Sequence, residues 1–125
     1  MKLIKTNFKY PDLKRVENKI GRFYIDSSGE EVPSVTTVLS STSDKSGIDE
    51  WKRRVGHEEA ERILKESTTI GTNVHNALEN YLQSKEWEIC DDGSYISKTS
   101  ISILNCFIEN LINDIDEVWG LEVGL

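Results

Sequence analysis

Between Thr68 and Leu82 the chain spaces its apolar residues Ile70, Val74, Ala77, Leu78, Tyr81 and Leu82 three and four positions apart. That period fits a helix with one buried face and no extended structure. A second stretch repeats the pattern: Ile101, Leu104, Ile108, Leu111, Ile112 and Ile115 form a stripe that predicts a helix over about 97–113. Two amphipathic helices of this length need each other, or a sheet, to cover their apolar faces. With 125 residues there is room for one domain core.

On the shoulder of the first helix lie Gly71, His75 and Glu79, four residues apart and so stacked on one line. Gly71 leaves space for a backbone or ligand, His75 offers an imidazole nitrogen, and Glu79 can orient that imidazole or share a cation with it. A hydrogen-bonded His–carboxylate pair at a core edge is the plainer reading of the same spacing, and both stay open at this level.

Upstream, residues 1–21 are mixed, with a turn at Tyr10-Pro11-Asp12, and read as an N-terminal arm without regular structure. The remainder, 22–125, reads as one unit. Segments 22–26 and 30–33 flank Ser27-Ser28-Gly29 as a β-hairpin. Ser34 then stands at the N-cap of a helix carrying Val35, Val38 and Leu39, where first-turn N–H groups with the hydroxyls of Ser34 and Thr36 make either a phosphate cradle or simple capping. Ile48, Trp51 and Val55 mark a short helix ended by Gly56, and 57–66 marks another. Trp51 is suited to base stacking or to a core, and Lys52, Arg53 and Arg54 beside it form a local basic patch. At the C-terminus, 118–125 alternates as a strand with Trp119, Leu121 and Val123 on one face and Glu122 on the other. The expected fold is therefore α+β and mostly helical: a hairpin, four or five helices, and a C-terminal strand that ends the given sequence inside a sheet.

The formal charge of −7 argues against a general polyanion binder, so nucleic acid would have to meet a local patch. No apolar run approaches the roughly 20 residues of a membrane span, and the first residues lack a signal-peptide apolar region. Cys90 and Cys106 lack metal-site spacing. A soluble, cytoplasmic protein without a membrane partner is expected, a phage protein in a bacterial host being compatible with this.

Taken in order, Pro33-Ser34-Val35-Thr36, Trp51-Lys52-x-Arg54 and Gly71-x-x-x-His75-x-Ala77-Leu78-Glu79 resemble the front half of PD-(D/E)XK exonucleases, closest to the RecB-like and mitochondrial genome maintenance groups with their phage relatives. The resemblance spans about residues 30–125. It implies a magnesium- or manganese-dependent hydrolysis of phosphodiesters at single-stranded DNA ends, of the kind used in replication, recombination and repair. By position, it implies that His75 and Glu122 act at the metal, and that Ser34, Thr36, Trp51, Lys52, Arg54 and Gly71 approach the strand, with Glu79 supporting His75. The family's metal-binding Asp and D-x-K strand would follow Leu125. Three literal (D/E)xK matches, starting at Asp12, Glu17 and Glu50, lie in the arm or on a helix and read as chance. The expectation is a truncated nuclease, inactive alone and completed by further strands or a second polypeptide. The alternative is a non-catalytic helical module that docks through its C-terminal strand.

Overall fold

The computed structural model describes residues 2–3 and 9–123. These fall into two compact units, one of residues 2–3 and 52–121, the other of 9–51 and 122–123. The α+β expectation holds in both.

In the 9–51 unit, β2 (Lys14–Glu17), β3 (Arg22–Ile25) and β4 (Glu31–Pro33) form an antiparallel sheet in the order β2-β3-β4. Lys14 pairs with Ile25 and Glu17 with Arg22, while Phe23 pairs with Pro33. The predicted hairpin is β3–β4. Its turn is fixed by Asp26, whose Oδ1 accepts from the N–H groups of Ser28 and Glu30 at 2.9 Å, and Gly29 takes φ +85. Strand β2 is new: the arm predicted to lack regular structure supplies a third strand. Its turn uses Asn18, whose Oδ1 accepts from Ile20 N–H (2.8 Å) and Gly21 N–H (3.2 Å). Gly21 is readable as a break in the chain, but the Asn18 turn before it has no Pro and no Asn-Gly or Asp-Gly pair to mark it as a hairpin. Met1 and residues 4–8 of that arm lie outside the described residues, as do Gly124 and Leu125 of the predicted terminal strand.

Helix α1 (Val35–Thr42) follows β4 directly. Ser34 caps it as expected, its Oγ accepting from Thr37 N–H at 3.1 Å. Thr37 then fastens the helix to β3, accepting from Arg22 N–H (3.0 Å) and donating to Arg22 C=O (2.8 Å). Gly21 makes room for this seam, since a Cβ there would sit 2.7 Å from Thr37 Oγ1. Helix α2 (Ser46–Val55) ends at Gly56, where φ is +92.

In the other unit, α3 runs unbroken from His57 to Leu82. The two helices expected over 57–66 and 68–82 are one. The residues between them lack a breaker, and the hydroxyls of Thr68 and Thr69 are satisfied within the helix by donating to Leu64 C=O (2.8 Å) and Lys65 C=O (2.9 Å). Helix α4 (Tyr95–Asn110) is capped by Ser94 and packs on α3, and a short 3₁₀ turn at Ile112–Asp114 completes the predicted 97–113 segment. Their buried residues are small or apolar: Ala60 and Ala77 on α3, Ser97, Ser100 and Leu104 on α4. Small side chains let helix backbones approach, and the Ser100 hydroxyl is satisfied by Ile96 C=O at 2.7 Å.

Strand β5 is only Glu117–Val118, paired in parallel with β1 (Lys2–Leu3). The longer strand predicted over 118–125 is thereby corrected. Glu122 adopts φ +51, a left-handed conformation that extended structure excludes. No helix among the described residues is long and apolar enough to cross a membrane.

Candidate nucleic-acid interface

Where β3 and β4 meet the start of α1, the 9–51 unit, with residues 122–123, encloses a cavity of about 710 Å³. Its wall brings together Arg22, Tyr24, Ser34, Thr36 and Glu122, with Tyr10 and Asp12 from the approach to β2. A second hollow of about 370 Å³ lies alongside and shares Arg22, Ser34 and Thr36, so these three side chains stand between the two. Three of the sequence-predicted site residues, Ser34, Thr36 and Glu122, thus belong to one surface feature.

The chemistry of that wall follows from what each group already does. Ser34 is committed: its oxygen caps Thr37 N–H and lies 2.9 Å from Thr37 Oγ1, whose own proton goes to Arg22 C=O. The Ser34 hydroxyl proton therefore serves Thr37. What the helix start offers a ligand is the exposed Thr36 hydroxyl and the first-turn N–H groups of Val35 and Thr36, which have no carbonyl four residues back inside the helix. Arg22 adds a positive charge. Its Nε is 3.5 Å from Glu17 Oε1, an ion pair without hydrogen-bond geometry, and that buried nitrogen has no hydrogen-bond partner among the described residues. Tyr10 and Tyr24 supply aromatic surface.

The opposite charge is present too. Glu17 sits between two arginines, and the hydrogen bond from Arg15, with its charge and then that of Arg22, holds the Glu17 carboxyl below the ordinary range. Glu122 and Asp12 place carboxylates in the same cavity.

The other candidates are elsewhere. Trp51 is half-buried on α2, and Lys52, Arg53 and Arg54 are exposed in its last turn, where cations also complement the carbonyl end of the helix. His75 is exposed on α3. Glu79 is half-buried and its Oε1 accepts from Gln83 Nε2 at 3.3 Å. Gly71 is exposed, and outside the backbone of its own helix nothing among the described residues lies within 4 Å of where its Cβ would be. His75 and Glu122 belong to different units.

No group of three or more His, Cys, Asp or Glu gathers into a metal site among the described residues. These residues do not by themselves assemble the magnesium site that the resemblance implies.

Sequence reading missed Arg22, Tyr24 and Thr37. Arg22 and Tyr24 were visible only as strand residues, and Thr37 only as a helix residue. The alternation of β3 is uninformative because all four of its residues are half-buried. Comparison of the chain with protein-family models, curated proteins and solved structures returns no match.

Proposed function

We propose that this chain binds single-stranded DNA as the strand-receiving part of a metal-dependent exonuclease of the PD-(D/E)XK type. The reading is carried by the cavity at the start of α1. A guanidinium, a free helix-start N–H pair, a hydroxyl and two tyrosines line one hollow, which are the groups that hold a phosphate and stack on the adjoining base. The resemblance of the three ordered motifs gives the reaction class, and the exposed His75 and basic α2 terminus are compatible with it. Magnesium or manganese would act with ligands supplied beyond the described residues.

The test is fluorescence anisotropy with a labelled twenty-nucleotide single strand, with and without millimolar magnesium, on the chain and on Arg22→Ala. Removing one charge-assisted phosphate contact costs about 1.5–3 kcal/mol, so affinity should fall by roughly tenfold or more. Equal affinity of the two proteins, or no binding to the chain at all, removes the cavity from any nucleic-acid role. Magnesium-dependent cleavage by this chain, lost in His75→Ala, would show that it carries the chemistry as well as the binding.

A non-catalytic interaction module is the second reading. It is favoured by the apolar face of α1, where Val35 is 75% and Leu39 58% exposed. This reading requires no affinity for the single strand and a discrete protein complex on co-purification.

A further inference from the structure

The 52–121 unit holds a separate groove of about 650 Å³ between α3 and the segment leading into α4. Its floor is a row of carboxamides, Asn73, Asn76 and Asn80, with Thr69 one turn before them on α3. Its facing wall carries Glu86, Trp87, Glu88 and Asp92. Asn73 Nδ2 is 3.5 Å from the buried Ser100 hydroxyl, while the side chains of Asn76 and Asn80 take no hydrogen bond among the described residues. Trp87 is braced by an edge-on contact with Tyr81, ring centres 5.2 Å apart.

We infer that this groove is a binding site for an extended peptide segment bearing lysine or arginine. Each asparagine carboxamide presents one donor pair and one acceptor, the complement of a backbone C=O and N–H. Asn76 and Asn80, four residues apart, are separated by about 6 Å along the helix. That is close to the roughly 6.6 Å at which an extended chain repeats the same face. From Thr69 to Asn80 the helix rises about 16 Å, room for about five extended residues. The side-chain preference follows from charge. No Lys or Arg lines the groove and three carboxylates do. Asp92, like Glu86 and Glu88, is anionic at physiological pH, and the Ser97 hydroxyl and Ser94 N–H hold its carboxylate in place. Carboxylates repel a phosphate backbone and pair with ammonium or guanidinium, while the Trp87 ring accepts the stem and charge of such a side chain. The groove differs from the cavity beside α1 in having no cation, since there the carboxylates of Asp12 and Glu122 stand with the Arg22 guanidinium.

The test uses the whole chain and a fluorescein-labelled decapeptide of alternating alanine and lysine, followed by anisotropy at low salt. Saturable binding is expected, with no binding of the alternating alanine–glutamate peptide. Since the chain is acidic overall, the deciding variant preserves charge: Asn76→Ala, at an exposed helix position where alanine favours the fold, combined with Asn80→Ala. Affinity should fall at least tenfold, and Glu86→Gln with Glu88→Gln should fall similarly. Unchanged affinity in the asparagine variant would mean diffuse charge attraction and overturn the proposal, as would absence of peptide binding. Loss of single-strand affinity in the same variant would make the groove a nucleic-acid site and equally overturn it. The outcome is independent of the Arg22→Ala measurement.

Discussion

Gly21 and Gly71 have the same side chain and opposite environments, so the same substitution should move stability in opposite directions. At Gly21 an added Cβ meets Thr37 Oγ1 at 2.7 Å and Cγ2 at 2.9 Å, and Thr37 cannot rotate away without releasing its bonds to Arg22. Gly21→Ala should cost about 1–3 kcal/mol, the usual penalty for overpacking. Gly71 lies inside α3 with nothing near its Cβ position, so Gly71→Ala should add about 0.5–1 kcal/mol through helix propensity. Urea melts of both variants check the pair. If Gly71→Ala stabilises the fold yet weakens single-strand binding, the glycine is there for a ligand; if affinity is unchanged, the close approach expected from the sequence is not made. Asp92 gives a prediction in pH. Its folded carboxyl, hydrogen-bonded to Ser94 and Ser97, titrates at about 2 against 3.8 in the unfolded chain. Between those values the unfolded state binds more protons, so the stability Asp92 supplies is complete above about pH 4 and is lost as pH falls toward 2. The stability gap between the wild-type chain and Asp92→Ala should therefore be present at pH 7 and much smaller at pH 2.

At the scale of elements, the helix pair α3–α4 holds its unit through few buried side chains, and Leu104, 1% exposed, is the largest of them. Leu104→Ala should cost about 2–5 kcal/mol, read as a lowered urea midpoint, with little effect on binding to the cavity beside α1. This pair was also the most legible part of the fold. Periodicity marks a buried stripe whatever it packs on, which is why Ala77, Leu104 and Ile112 fell on the buried faces, while Leu111 of the same stripe is exposed where α4 gives way to the 3₁₀ turn. What periodicity does not mark is whether two adjoining amphipathic runs join: the runs 57–66 and 68–82 read as two helices, and no Gly or Pro at their junction breaks α3 into two. Strand β2 was illegible for a related reason. Only Val16 of its four residues is even half-buried, so no alternation announces it. At the candidate site, Ser34 was readable as a cap because capping is local, and Thr36 followed from its place beside it. Arg22 and Tyr24 join them only through the pairing of β3 and β4 and its bonds to α1, and no local pattern encodes that. The long terminal strand failed because alternating residues describe a strand only where the backbone stays extended, and at Glu122 it turns to φ +51.

For the whole molecule, the balance of 22 acidic against 15 basic residues sets how a nucleic acid is met. A polyanion approaching a chain of charge −7 is repelled except where cations are local. The residues proposed to meet the strand supply three such cations in two separate units, Arg22 in the cavity wall of one and Lys52 and Arg54 in the other, and a twenty-nucleotide strand is long enough to meet each by itself. For single strands the logarithm of affinity falls with the logarithm of salt by about 0.7 per phosphate neutralised, so three contacts give a slope of roughly −2 and about a twentyfold loss between 50 and 200 mM salt. Lys52→Gln should make the slope shallower by about 0.7, whereas Thr36→Ala, which removes a neutral hydroxyl, should weaken binding and leave the slope alone. A flat salt dependence would mean that the strand, if it binds, is held without its phosphates, and the helix-start cavity would then be serving stacking by Tyr10 and Tyr24 instead. A slope much steeper than three contacts allow would assign the strand to basic residues outside both regions.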